Sequence, residues 1–207
     1  MKEMIGLKKF REWVAGKKEE VSDMLFQPLV KQEMFPKDSH TLKNGEVVEI
    51  SLATKIDLDD IIAIQEACYG GKAPWGRIAV NNELRNKRTS FFIMCHHGDR
   101  AIAFIGLAMR RSGLHVTNIA TVPDYQRKGI ATFLMETAIS LAKQLDRTRI
   151  TLEVRVSNEK AKRLYRTLGF SDGRVKENYY QSNGEDALNM IYRLNDKDDH
   201  YANHARK

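Results

Sequence analysis

Cysteine is scarce in this chain: Cys68 and Cys95 are its only two, far apart and without the spacing of a metal knuckle. A disulfide framework is thereby excluded, and reduced thiols are expected. Long apolar runs are missing as well. No stretch approaches the ~20 residues of a membrane span, and the N-terminus has no apolar signal segment, so a cytoplasmic protein without membrane contact is expected. Two phosphate-loop signatures, G-x-x-x-x-G-K-[ST] and G-x-G-x-x-G, do not occur. His96 and His97 end a strand pattern with no third ligand near them, so no metal is expected. Repeats and low-complexity segments are absent too, and 42% hydrophobic with 29% charged residues is the balance of an ordinary globular protein.

What is present is basic charge. The formal net charge is +7, and most of the surplus falls in residues 49–194, which points to an anionic ligand or to a partner that sits near nucleic acid. The chain is organised around residues 117–134. There an apolar β-prone run ends at Pro123, a basic turn carrying Gly129 follows, and a helical pattern starts near Lys128. The first turn of a helix exposes unpaired N–H groups at the positive end of its dipole, and Arg127 and Lys128 add two charges beside it. Gly129 and Ala131 keep the backbone open to a phosphate. A solvated strand-to-helix corner has the same composition, so the pattern alone leaves both readings open.

In chain order, residues 3–26 carry an imperfect amphipathic stripe interrupted by Gly16, and read as a loosely docked helix. Residues 27–45, with Pro28, Pro36, Asn44 and Gly45, read as a linker. Strands are expected at 47–53, 91–96, 101–109, 115–122, 149–156, 170–172, 175–180 and 188–194, and helices at 57–69, 76–86, 128–145 and 159–168. The helix at 128–145 has the strongest apolar periodicity, and the strand at 149–156 alternates strictly. This order predicts an α+β fold, an α/β sandwich: a mixed, mostly antiparallel sheet with helices on both faces. The division expected is an extension over 1–45, a working domain over 46–194 and a mobile tail over 195–207.

Six motifs then fall into a known series. Gln126-Arg127-Lys128-Gly129-Ile130-Ala131 resembles the [QR]-x-x-G-x-[GA] loop of the GCN5-related N-acetyltransferases, the GNAT family. Ala73-Pro74-Trp75, the stretch 118–131, L-E-V-R-V-S-N at 152–158, L-Y-R-T-L-G-F at 164–170, N-Y-Y at 178–180 and E-D-A-L-N-M at 185–190 resemble, jointly and in order, the RimI-type ribosomal-protein-alanine N-acetyltransferases. The likeness covers about residues 47–194. Ala131 replaces the second glycine of the loop, Thr121 and Val122 stand where Val and Asp are usual, and His115 stands where an acidic residue is frequent.

The resemblance implies a seven-stranded GNAT-like sheet, acetyl-CoA as cosubstrate, no metal, and acetyl transfer to the N-terminal alanine of a small-subunit ribosomal protein. Such transfer needs a neutral amine, oxyanion stabilisation and a proton for the leaving thiolate. An α-amino group of pKa about 8 is roughly a tenth neutral at pH 7, whereas a lysine is below roughly a thousandth, so one carboxylate acting through water is adequate. On the resemblance, Glu153 is the base and Tyr165 the acid. Main-chain groups of Ile119, Ala120 and Thr121 would hold the pantetheine arm between splayed strands. Arg127, Lys128, Gly129, Ile130, Ala131 and Thr132 would hold the pyrophosphate, and Asn158 would touch the coenzyme. Trp75, Tyr179 and Tyr180 would line the peptide cleft. Read as residues alone, Glu153 pairs with Arg155 or an exposed neighbour, Tyr165 packs as readily with the core around Phe170, and Asn158 caps a helix. The rival functions are acetylation of another amine, a small molecule or lysine, and a non-catalytic ribosome-associated binding module; a direct nucleic-acid function is not expected.

Overall fold

The sheet starts earlier in the chain than the pattern of residues implied. In the computed structural model, which describes residues 30–35, 37–111 and 113–194, eight strands form one sheet. They are β1 (Ser39–Thr41), β2 (Val47–Leu52), β3 (Ser90–His97), β4 (Arg100–Arg110), β5 (Gly113–Thr121), β6 (Arg149–Arg155), β7 (Ser171–Tyr180) and β8 (Glu185–Arg193). They lie side by side in that order, except that β8 sits between β6 and β7. All neighbours are antiparallel apart from the parallel pair β5 and β6. The expected helix over 3–26 and the tail after Asn195 lie outside the described residues.

Two expectations need correction. The sheet has eight strands rather than seven, because β1 forms within the segment read as a linker and pairs Ser39 with Glu49 and Thr41 with Val47. Asn44-Gly45 is the turn of that hairpin, with Gly45 at φ 88°, and Val30, Phe35 and Leu42 are buried in the core. The second concerns 170–172 and 175–180, which are one strand, β7, kinked by register irregularities at Asp172/Val175 and Lys176/Tyr180.

Among the described residues there are four α-helices: α1 (Leu58–Cys68), α2 (Arg77–Arg85), α3 (Ile130–Gln144) and α4 (Glu159–Thr167). A capping box just before α1 satisfies its leading turn, with Thr54 N–H donating to Asp57 Oδ2 at 2.7 Å. α1 and α2 pack together beside β3, β4 and β5, while α3 lies across β4, β5 and β6 from the other face. α3 buries Phe133, Leu134, Ala138, Leu141 and Ala142, as its periodicity predicted. Each large apolar side chain so buried contributes about 2 kcal/mol, which anchors the loop leading into the helix.

One defect shapes the molecule. In the β4–β5 pairing Asn118 opposes Gly106 and Val116 opposes Leu107, so Thr117 is an extra residue, a bulge. Gly106 makes room for it: a Cβ there would stand 2.7 Å from both Thr117 Oγ1 and a Phe92 ring carbon. At the same point β5 leaves β6. Their parallel pairing runs only from Gly113 with Arg149 to Val116 with Leu152. Beyond it β5 stays on β4 and β6 stays on β8, and a gap opens between Thr117–Thr121 on one side and Glu153–Arg155 on the other.

Candidate active site

The β5 wall of the gap is main chain. Val122 N–H donates to Ile102 O at 2.9 Å, and antiparallel alternation then turns the amide and carbonyl of Ala120 toward β4 and those of Ile119 and Thr121 into the gap. Ala120 was expected to offer main-chain groups there, and this alternation corrects that; only Ile119 and Thr121 do. The Thr121 carbonyl already accepts from Cys68 Sγ at 3.2 Å and Gln126 Nε2 at 3.0 Å, so the first residue of the glycine motif ties the loop to the strand. Thr121 Oγ1 is buried without a partner, the kind of group a polar ligand arm satisfies.

After a 3₁₀ turn at Pro123–Tyr125 the loop enters α3 with Arg127 at φ 61° and Gly129 at φ 93°. Gly129 caps α3 without any side-chain hydrogen bond, so the first-turn amides at Ile130, Ala131 and Thr132 keep their donors free. Lys128 stands 4.5 Å from the Tyr125 ring centroid and 4.0 Å from Glu46 Oε2, and Arg127 is exposed. Tyr125 is held by a 2.6 Å hydrogen bond to His97 Nδ1. His40 of β1 stacks on Phe133 at 4.8 Å, with its Nε2 3.8 Å from where a Gly129 Cβ would stand. The loop is thus fixed from both sides, open where the amides point.

The β6 wall is made of side chains. Glu153 accepts from Lys176 Nζ at 2.7 Å and Asn189 Nδ2 at 3.1 Å, and its other oxygen lies 3.2 Å from His115 Nε2. The sequence left a pair with Arg155 or with an exposed neighbour open; the pair with Arg155 does not form, and the half-exposed Lys176 is the neighbour that takes its place. Burial pushes the Glu153 carboxyl up, but hydrogen bonds and charge from His115 and Lys176 outweigh it and bring the pKa down to about 2. His115 is held in turn by Thr151 Oγ1 at 2.9 Å. Arg155 instead binds Glu185 at 2.8 Å and Asn183 at 2.9 Å and lies 3.8 Å from the Tyr180 ring centroid, which pins the turn between β7 and β8.

Tyr165 is buried, tilted against Phe170 at 5.9 Å, so the packing that the residues alone suggested is present. Burial, then the neighbouring hydroxyls of Tyr69 and Tyr180, push its pKa up. Tyr180 reaches the Glu153 carbonyl at 3.4 Å, and its own pKa is pushed up to about 12, chiefly by burial. Tyr179 meets Tyr180 edge-on at 5.2 Å. Asn158 caps α4 by accepting from Ala161 N–H at 3.1 Å. The amide and carbonyl of Trp75 are bound by the Gln65 side chain at 3.1 and 3.3 Å. Gln65 also accepts from Asn118 at 3.2 Å, and so staples the loop after α1 to β5. Gln65, Lys176 and Tyr69 had no signal in the sequence, and Asn189 none beyond its place in the motif at 185–190. Among the described residues there is no group of three metal-binding side chains and no helix long and apolar enough to cross a membrane.

Glu153 and Tyr180 therefore stand together at one end of a gap whose other wall presents free amides and the positive start of a helix. That arrangement can bring a phosphate-bearing group on one side against an amine on the other. Comparison with known proteins agrees. Residues 58–170 match the Acetyltransferase (GNAT) family. The chain is 31% identical over 140 residues, 68% of its length and 91% of the relative's, to a Bacillus subtilis protein named a putative ribosomal-protein-bS18-alanine N-acetyltransferase. It is 31% identical over 164 residues, 72% of its length and 94% of the relative's, to an N-alpha-acetyltransferase of Sulfurisphaera tokodaii. The crystal structure of the ribosomal-protein-alanine N-acetyltransferase of Escherichia coli superposes with a TM-score of 0.65 at 26% identity, over 73% of this chain and 97% of that one.

Proposed function

The chain belongs to the GNAT family of acetyltransferases, and from that premise we propose that it is a cytoplasmic N-α-acetyltransferase whose acceptor is the N-terminal alanine of a small-subunit ribosomal protein. The observation that carries this reading is the gap itself, an unpaired β5 edge and glycine loop facing a buried carboxylate. Likeness to the Bacillus subtilis relative over nearly its whole length supports the acceptor class.

Acetyl-CoA supplies the acetyl group as a thioester whose leaving group is a thiolate. The residues fit it: the main-chain groups of Ile119 and the amide of Thr121 suit the amide-bearing arm, as an added strand would. The amides of 127–132, with Arg127 and Lys128, suit the diphosphate. Asn158 at the start of α4 is a further coenzyme contact. Glu153 gives the amine a counter-charge and takes its proton through water as the new bond forms. A carboxylate held near 2 is a weak proton acceptor from an ammonium near ~8, so seating the amine is the larger part of its work. Tyr165 stays protonated, because its pKa is raised, and donates a hydrogen bond to the leaving sulfur. Trp75, Tyr179 and Tyr180 flank the acceptor chain.

A peptide panel tests the proposal. With acetyl-CoA, peptides differing only in their first residue are expected to be acetylated fastest when that residue is alanine, and a peptide with a blocked N-terminus and an internal lysine is expected to be inert. Acetylation of the blocked peptide alone would overturn the acceptor assignment.

A further inference from the structure

Three donors hold the Glu153 carboxylate, and they are not equivalent. His115 is fixed inside the sheet by Thr151 at 2.9 Å. Asn189 is fixed there as well, since its Nδ2 also donates to Leu152 O at 3.2 Å. Lys176 is different. Its side chain is 47% exposed, while that of Glu153 is 8% exposed, so the lysine reaches the carboxylate from the solvent side and closes it off. It belongs to the edge strand β7, exposed from Ser171 to Tyr179, on a short paired segment, Val175 and Lys176, between two register irregularities. A second seat is close by, for Nζ already lies 5.2 Å from the ring centroid of Tyr179, a distance at which a cation is still attracted to an aromatic face.

The chemistry of the occupant matters as much as its place. Lys176 presents a primary ammonium to Glu153 Oε1, and a protein N-terminus presents the same group. Resting on the reading that Glu153 receives the acceptor amine, we propose that Lys176 is the resident occupant of the acceptor seat, exchanged for the incoming amine, and so a positioning residue that sets acceptor affinity. The exchange replaces one ammonium with another, so the buried carboxylate is never left uncompensated, a state that would be costly. The lysine moves to the ring of Tyr179 or into water, and the proton Glu153 then receives comes from the amine that has taken its place. The other groups facing the carboxylate stay where they are: His115 from β5, Asn189 from β8 and the hydroxyl of Tyr179 from β7.

The test is steady-state acetylation of an alanine-initiated peptide at saturating acetyl-CoA by the full chain and by Lys176→Met, Lys176→Arg and Glu153→Gln. Removing a competitor that holds its seat through a charge-assisted, half-exposed pair should lower the peptide KM about five- to tenfold in Lys176→Met and raise kcat/KM with it. Lys176→Arg, which can grip a carboxylate with two parallel bonds, should raise the KM above that of the parent. An unchanged or raised KM in Lys176→Met, or a loss confined to kcat, would overturn the proposal. Glu153→Gln separates the premise from the inference: if it keeps the parent kcat, Glu153 is not the amine's partner, whatever the lysine variants do.

Discussion

The two walls of the gap are built from different material. On the β5 side the groups that face a ligand are main-chain amides, aligned by a bulge at Thr117 and by left-handed turns at Arg127 and Gly129. On the β6 side they are side chains, Glu153, His115, Lys176, Asn189 and Tyr180, drawn from four strands. The difference teaches a division of labour. A wall of amides asks little of side-chain identity beyond small residues in the turn, so it suits a cosubstrate common to a whole family. A wall of charged side chains depends on which residue stands at each register position, so it suits the acceptor, which differs from one enzyme to the next.

If the division is right, damage to one wall should leave the other working. The largest effect expected is in Tyr165→Phe, which removes the proposed donor to the leaving sulfur while keeping the ring that packs on Phe170. Turnover should fall about a hundredfold, within the range for a positioned proton donor, while the coenzyme Kd from titration calorimetry should move by less than about twofold. Equal loss in both quantities would mean that the tyrosine belongs to the coenzyme wall and that the boundary has been drawn in the wrong place.

The converse change is Gly129→Val. At φ 93° a β-branched residue is strained by about 1–3 kcal/mol, and the relief available is to unwind the loop that aims the amides. The coenzyme Kd should rise about ten- to thirtyfold, while kcat at saturating coenzyme and the peptide KM should stay close to the parent values. A variant that binds coenzyme normally and loses peptide affinity would break the comparison from the other side.

Legibility in the sequence follows the same division. The coenzyme wall is written locally: an apolar run, Pro123, Gly129 and the periodicity of α3 lie within one continuous stretch, and strand, turn and helix emerged from it with boundaries off by two residues. The acceptor wall is not. His115, Glu153, Lys176 and Asn189 are far apart in the chain, and only the strand order β5-β6-β8-β7 brings them together. Lys176 is harder still, since an irregular register on both sides hides which way it points. Glu153 and Tyr165 came into view through the motifs around them, because a charged residue on a strand face and a tyrosine among apolar neighbours carry no functional signal of their own. β1 is hidden because Ser39-His40-Thr41 has no alternation to read, and its hairpin turn, Asn44-Gly45, has the composition of a linker. Nothing in the sequence sets Gly106 apart from another strand glycine, although it is what allows the bulge and hence the gap.

The smallest effect expected separates the walls by pH. Amides do not titrate over the accessible range, whereas Glu153 does, with its pKa brought from 4.5 down to about 2 in the folded chain. A depressed carboxylate contributes stability that is whole above its unfolded value and is lost as the pH falls toward the folded one, here between about 4.5 and 2. Because Lys176 is half exposed and screened by solvent, the contribution is on the order of 1–2 kcal/mol, or a few degrees in melting temperature for a domain of this size. Glu153→Gln should therefore lose less stability than the parent between pH 5 and pH 2.5, even though it starts lower for having stranded His115 and Lys176. Gly129→Val should start lower too, yet fall with the slope of the parent, because strain in a turn does not depend on protons. Thermal melts of the three proteins across that range decide the matter: parallel slopes for all three would mean that the cage around Glu153 adds nothing to the fold.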